Sequence, residues 1–268
     1  MSYFGIQKYN DNLYQFKDPL GVLSTLLIGK EKALLFDTCY GIGDLKEEVR
    51  KITDKEIVVV CSHGHMDHSG GNYQFNKVLI HKDDIELCKK HNSKEKRMQN
   101  VEAARRIINM DNFDVDNYLM QNEGNLEIIN VGEKIDLGGI SASVIAMEGH
   151  TKGSIGLFIK KMKLLLVSDA TCPFIWLFLE ESLPVSTYIK MLERTIKLDF
   201  DNFLVGHGAR MFPKSKMIDF LNIAKDIDLK KSVKVEFKNF ENANSYCYTR
   251  GKMYDQNDCG VVFDPRRM

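Results

Sequence analysis

The sequence predicts a mixed α/β fold, on three observations. Short aliphatic or β-branched runs recur along the chain, stretches with apolar residues at helical spacing separate them, and several runs end on a histidine or an aspartate. Runs at 12–17, 22–28, 32–37, 56–61, 77–80, 126–131, 140–147, 154–160, 163–168 and 203–206 read as strands. Glu56-Ile57-Val58-Val59-Val60-Cys61 has the continuous apolar pattern of a strand covered on both faces. Residues 154–159 and 163–168 flank a tight turn and are expected to pair. Ile42, Leu45, Val49 and Ile52 recur at helical spacing, which gives an amphipathic helix between two strands. Ser186 is placed to cap a helix with Ile189, Leu192 and Ile196 on one face. Ser215 is expected to cap another, carrying Met217, Phe220, Leu221 and Ala224. Two mixed sheets between outer helices fit this alternation.

Residues 83–123 read as a helical insertion. Ile85, Val101, Ala104, Ile107 and Ile108 are consistent with a buried stripe, while Lys89, Lys90, Lys94, Lys96 and Arg97 make one part basic. The plainer reading is a solvated helical face; the functional one is a cap that favours an acidic substrate. Residues 209–268 hold one further helix and then strand-like runs at 233–237 and 260–263. The whole chain, 1–268, is read as one domain.

Composition narrows the class. A hydrophobic content of 44% suits an ordinary globule with a sizeable core. The 37 basic and 37 acidic residues cancel, with no long block of one sign, so an electrostatic grip on nucleic acid is not expected. No apolar stretch approaches the roughly 20 residues of a membrane span, and the N-terminus lacks a signal-peptide pattern. The six dispersed cysteines read as the reduced thiols of a cytoplasmic protein, and the partner expected is a small-molecule substrate rather than nucleic acid. Nothing in the sequence sets the oligomeric state.

The densest chemistry lies in Cys61-Ser62-His63-Gly64-His65-Met66-Asp67-His68-Ser69-Gly70-Gly71. Three of the seven histidines fall within six residues, with a carboxylate among them. Imidazole is the commonest protein ligand for zinc and similar cations. The spacing His63-x-His65 puts two imidazoles on one side of an extended segment. Asp67 and His68 follow on a loop that can face a second ion. Such a cluster is expensive to keep for packing alone.

His63-x-His65-x-Asp67-His68 resembles the signature of the metallo-β-lactamase superfamily of metal-dependent hydrolases. Four more landmarks follow the family's order. Leu34-Leu35-Phe36-Asp37-Thr38 looks like its early strand ending in aspartate. Gly149-His150-Thr151-Lys152-Gly153-Ser154 looks like its third motif, Leu166-Val167-Ser168-Asp169-Ala170 like the strand before its bridging aspartate, and Val205-Gly206-His207-Gly208 like its last ligand. The resemblance implies a four-layer αβ/βα sandwich, the metallo-β-lactamase fold, carrying the helical insertion.

It also implies two divalent metal ions, zinc first, with iron or manganese as alternatives. His63, His65 and His150 would hold one ion, Asp67, His68 and His207 the second, and Asp169 would bridge them. Asp37 would orient the ligand loop without binding metal; the alternative, from local sequence alone, is a turn residue. Two cations roughly 3.5–4 Å apart lower the pKa of a shared water to about 7. The resulting metal-bound hydroxide would attack a carboxylic ester, thioester or lactone carbonyl, with Asp67 as the catalytic residue that orients it or relays a proton. The spacing looks closest to glyoxalase II-like and lactonase-like hydrolases, though the basic glutathione-binding residues of the former cannot be placed here. A mononuclear iron persulfide dioxygenase-like protein, or a di-iron oxidoreductase, is the alternative. Di-iron oxygen reductases of this family normally carry glutamate where this chain has His65.

Three other features stand outside that set. His81 is expected to be structural or solvent-facing, and His91 to be a solvated residue of a charged helix. Phe174, Trp176 and Phe178 follow Asp169 in an aromatic run that reads either as core or as the apolar wall of a substrate pocket.

Overall fold

The computed structural model describes residues 3–111, 113–208, 210–237, 240, 243–255 and 257–268. They divide into two compact units, Met1–Val144 with Gly206–Ala209, and Ile145–Val205 with Arg210–Met268.

In the first unit the chain runs β1 (Gly5–Asn10), β2 (Leu13–Lys17), β3 (Leu23–Ile28), β4 (Lys32–Phe36), α1 (Leu45–Arg50), β5 (Glu56–Val60), α2 (Met66–Ser69) and β6 (Val78–Ile80). It continues through α3 (Ile85–His91), α4 (Lys94–Arg105), α5 (Val115–Met120), β7 (Leu126–Ile128), β8 (Lys134–Asp136) and β9 (Ser141–Ala146), whose last residues leave the unit. Strands β1 to β7 form one sheet in sequence order, antiparallel up to β4 and parallel from β4 to β7. β3 lies buried along its whole length, as its aliphatic run requires. Asp44 caps α1 by accepting from Glu47 N–H, and Leu45 and Val49 face the core with Leu26, Leu35 and Val59. Phe36 pairs in register with Val60, so Asp37 and the Cys61-Ser62 segment leave the sheet side by side at one edge. Helices α3, α4 and α5 all lie within residues 83–123, the segment read as helical from the sequence.

The second unit contains β10 (Ile155–Ile159), β11 (Leu164–Ser168), β12 (Phe174–Leu177), α6 (Val185–Thr195), β13 (Asn202–Val205), β14 (Met211–Pro213), α7 (Lys214–Lys225), β15 (Val233–Val235), β16 (Ser245–Thr249) and β17 (Gly260–Phe263). β10 and β11 pair antiparallel as expected, with Leu157 opposite Leu166. β11 then pairs parallel with β13, and β13 antiparallel with β14. A separate sheet runs β12-β17-β16-β15. Tyr188, Met191 and Leu192 of α6 and Met217 and Phe220 of α7 share a core with Leu165, Phe203 and Phe263.

Several sequence expectations need correction. Neither serine caps its helix: Pro184 and Pro213 hold the N-cap positions, each with extended ψ, and no side chain caps either end. The backbone carbonyl of Asp201 takes the Lys214 N–H instead, so no serine is needed there. Ile107 is exposed rather than part of a buried stripe, because α4 ends at Arg105 and the helical register is lost beyond it. Arg97 adds nothing to a basic surface; it is fully buried. β1 and β8 were not expected. Both are largely exposed, so they lack the apolar pattern that marks covered strands.

Candidate metal centre

Asp37 leaves β4 with φ 69°, a left-handed conformation that aspartate tolerates better than most residues. Its N–H stays tied to Val60 O while its carboxylate turns toward the loop after β5. Oδ1 accepts from Ser62 N–H at 2.7 Å, and Oδ2 accepts from Ser62 Oγ at 2.9 Å. His68 Nδ1 lies 2.9 Å from the same Oδ2. An ionised carboxylate only accepts, so His68 carries its proton on Nδ1 and presents a lone pair at Nε2. Ser62 Oγ, whose one hydrogen is donated to Asp37, accepts from His63 Nδ1 at 2.8 Å, which likewise puts the His63 lone pair on Nε2. One buried carboxylate thereby sets two imidazole tautomers, the arrangement that accompanies metal-ligating histidines. Ser62 was not anticipated from the sequence; its position directly before His63 was the available signal.

His63 and His65 turn to one side of the extended segment, and His63 Nε2 stands 3.1 Å from His65 Nδ1. His65 is the N-cap of α2, and Asp67 and His68 lie in that four-residue helix. Helix α3 crowds this loop. A Cβ on Gly64 would stand 2.6 Å from Cys88 N and 2.8 Å from Asp84 O, so only glycine fits, and Gly64 N–H donates to the buried Asp84 Oδ2 at 2.8 Å.

His207 reaches the same place from far along the chain. Val22 and His207 form an antiparallel bridge, and Leu23 N–H donates to Gly206 O at 2.9 Å. Its Nε2 lies 3.4 Å from His68 Nε2 and 3.3 Å from Asp67 Oδ2, and His68 Nε2 lies 3.4 Å from that same oxygen. These three atoms form a nearly equilateral triangle. An ion about 2.0–2.1 Å from nitrogen and oxygen ligands in tetrahedral geometry separates them by about 3.3–3.4 Å, so the spacing fits a divalent cation. Burial alone would raise the Asp67 carboxyl, but proton-bearing imidazoles at His68 and His207 outweigh it and hold the group well below the usual carboxylate range; with His68 in the neutral tautomer that Asp37 favours, a bound cation would take over that role. Asp67 is thus ionised and ready as a ligand at neutral pH.

In the second unit, His150 is buried, and its Nδ1 lies 2.8 Å from Trp176 O. The carbonyl can only accept, so His150 also holds its proton on Nδ1 and keeps Nε2 for another partner. Ser182 Oγ fixes the backbone by donating to His150 O at 2.9 Å. Asp169 follows Ser168, whose φ of 48° and the register shift against β13 end the ladder and turn the chain out of the sheet.

Phe174 and Phe178 are buried and Trp176 is half-buried, in an aromatic cluster with Phe237. Phe178 and Phe237 stack at 5.0 Å, and Trp176 Nε1 donates to Tyr254 Oη at 3.2 Å. His81 behaves as expected of a structural residue, its Nδ1 accepting from Asp83 N–H. His91 does not. It is half-buried, with its ring 4.8 Å from that of His65 and inclined by 32°, because α3 ends over the loop of His63 and His65 rather than in solvent. All six cysteines are free thiols, and burial pushes Cys61 and Cys39 well above the ordinary thiol range. No helix is long and apolar enough to cross a membrane among the described residues.

With this geometry established, comparison with known proteins is informative. Acyl-coenzyme A thioesterase MBLAC2 of Homo sapiens is 28% identical over 190 residues, covering 65% of this chain and 66% of that protein. The chain therefore spans just under two thirds of that curated relative. A metallo-beta-lactamase from Pontibacter korlensis superposes with a TM-score of 0.56 at 14% identity, covering 84% of this chain and 100% of the other. The sec-alkylsulfatase Pisa1 from Pseudomonas sp. gives a TM-score of 0.63 at 15% identity, covering 83% of this chain and 41% of the other. At these identities the structural likeness establishes the metallo-β-lactamase fold. The family model for the metallo-beta-lactamase superfamily matches residues 18–207, and the chain belongs to that superfamily.

Proposed function

We propose that this chain is a dinuclear metal-dependent hydrolase acting on a thioester, an acyl-coenzyme A being the first substrate to test, with carboxylic esters and lactones as neighbouring classes. The observation that carries this reading is the triangle of Asp67 Oδ2, His68 Nε2 and His207 Nε2, at cation-ligand spacing beside the facing nitrogens of His63 and His65. In this reading His63, His65 and His150 hold one divalent ion, Asp67, His68 and His207 hold the other, and Asp169 serves both. Zinc is the first candidate, since the donor set is nitrogen and oxygen without thiolate. Such ions polarise a carbonyl and bring the pKa of a shared water toward about 7.

The chain's own residues do the rest. Asp37, through Ser62 and directly, keeps His63 and His68 in the ligating tautomer. Asp67 turns Oδ2 to the two imidazoles, which leaves Oδ1 to orient the attacking water or hold its proton. Trp176, backed by the buried Phe174 and Phe178, supplies an apolar wall for the acyl group, and residues 83–123 act as a cap. The thioester preference draws on the name of the human relative. One domain over residues 1–268, acting in the cytoplasm, is the proposed functional unit.

Metal analysis of protein purified without added metal, followed by a screen of acyl-coenzyme A, ester and lactone substrates, tests the reading. About two divalent ions per chain with thioester turnover is the expected result. One iron per chain with no hydrolysis of any of the three classes would overturn it in favour of a dioxygenase-like reaction.

A further inference from the structure

Arg97 sits in α4 with no exposed surface, yet among the described residues none of its hydrogen bonds goes to a carboxylate. Its Nη1 and Nη2 both donate to Gly70 O at 3.2 Å, and Nη2 also reaches Asn92 Oδ1 and Asn122 O, each at 2.8 Å. The guanidinium lies over the rings of Tyr73 and Tyr118, 5.3 and 4.8 Å from their centroids. Burying a cation without an anion is costly, and carbonyl dipoles with two aromatic faces are what offset it here. A methionine would fill the volume and a lysine would supply the charge. Only the planar fork of arginine reaches all three oxygens at once.

What those oxygens belong to gives the residue its meaning. Gly70 ends α2, the helix that carries Asp67 and His68, and its own N–H is bonded to Met66 O at 2.7 Å. Asn92 uses its Nδ2 to donate to Ser69 Oγ at 2.8 Å, and Ser69 Oγ donates to His65 O at 2.9 Å. Two routes therefore run from one buried cation to the two ends of the ligand helix. The approach at the Gly70 end is close enough that a Cβ there would stand 2.4 Å from Tyr40 O, so the helix has little room to adjust if its tether is lost.

We propose that Arg97 is a positioning residue of the metal centre: from the helical insertion it holds α2 in the register at which Asp67 Oδ2 and His68 Nε2 face one cation. The inference rests on the metal-centre reading above. It gives the insertion a role in building the site that is independent of any role as a cap.

The test uses the full chain, freed of metal by chelation and titrated with Zn²⁺ in a calorimeter, for the wild type, Arg97→Lys, Arg97→Met and Asn92→Ala. Melting of the metal-free and zinc-saturated forms is measured in parallel. Arg97→Lys is expected to weaken one of the two binding events by about 10–100-fold, the usual cost of losing a group that orients ligands, and to shrink the rise in Tm on adding zinc. Asn92→Ala, which cuts only the route through Ser69, is expected to weaken the same event by less. If Arg97→Met fails to fold, the other two variants decide. Variants whose metal-free Tm falls while their zinc affinity equals that of the wild type would overturn the proposal and leave Arg97 a packing residue. A wild type that takes up no zinc would instead overturn the metal-centre reading beneath it.

Discussion

Asp37 Oδ2 lies 2.9 Å from His68 Nδ1, and this one contact joins the end of the fourth strand to the helix of Asp67 and His68 while fixing which imidazole nitrogen carries the lone pair. The same oxygen accepts from Ser62 Oγ, so two ligand candidates depend on one side chain outside the proposed ligand set.

Replacing Asp37 with asparagine keeps the size and tolerates the left-handed backbone, but removes the charge and turns one acceptor into a donor. Metal affinity is expected to fall about 10–100-fold. The loss of good partners for His68 Nδ1 or Ser62 should also cost about 1–3 kcal/mol of stability. Calorimetric zinc titration and chemical denaturation of the metal-free protein check the two effects. Unchanged zinc affinity would show that the tautomers are set by other groups.

Asp67→Asn addresses the reaction itself. The variant keeps the volume and loses the anionic oxygen shared by His68 and His207. Thioester turnover is expected to drop by at least about 10²-fold, with the far-ultraviolet circular dichroism unchanged. Retention of most of the activity would remove Asp67 from the catalytic role.

Asp18 yields a prediction in pH. Its Oδ1 accepts from Val22 N–H at 2.9 Å, beside the strand bridge that holds His207, while its Oδ2 is buried without a hydrogen bond. Burial, with a smaller contribution from Asp67, pushes its carboxyl up to about 6. A carboxylic acid with a raised folded-state pKa binds its proton more tightly in the native protein than when unfolded. Its cost is therefore absent below the unfolded value of about 3.9, grows as pH rises to about 6, and is complete above that. Asp18→Asn should stabilise the metal-free protein by about 1–3 kcal/mol at pH 8, and the gain should vanish below about pH 4. Urea denaturation across that range measures it; a gain that does not vary with pH would contradict the account.

The aromatic run separates by exposure. Phe178 is buried and stacked on Phe237, so Phe178→Ala should cost about 3–5 kcal/mol and lower Tm strongly. Trp176 is half-buried and holds His150 through its backbone carbonyl, which survives truncation. Trp176→Ala is expected to cost less stability and chiefly to raise KM for long acyl chains, the mark of lost uniform binding. Melting curves and steady-state kinetics on both variants, measured together, decide. A large stability loss with unchanged KM would assign Trp176 to the core.

Local chemistry in the sequence was enough to determine the α/β class, the covered strands and the ligand candidates. Val58-Val59-Val60 and Leu34-Leu35-Phe36 declare buried strands by composition alone, and the strand ends then mark where Asp37 and His63 must emerge. His63-x-His65 is legible because side-chain direction alternates along an extended chain, whatever the rest of the fold does. The tertiary structure decided everything that depends on distant partners. That the Asp37 carboxylate meets Ser62 and His68 depends on the parallel pairing that sets Phe36 beside Val60. Asp67 and His207 are 140 positions apart, and only the bridge from Val22 brings His207 Nε2 to 3.3 Å from the carboxylate. Arg97 read as one more cation of a basic helix, and His91 as a solvated one, because burial is a property of what packs against a helix and not of its own composition. Long-range packing selects which of the polar residues a sequence offers become a site, and it does so through contacts that no local pattern records.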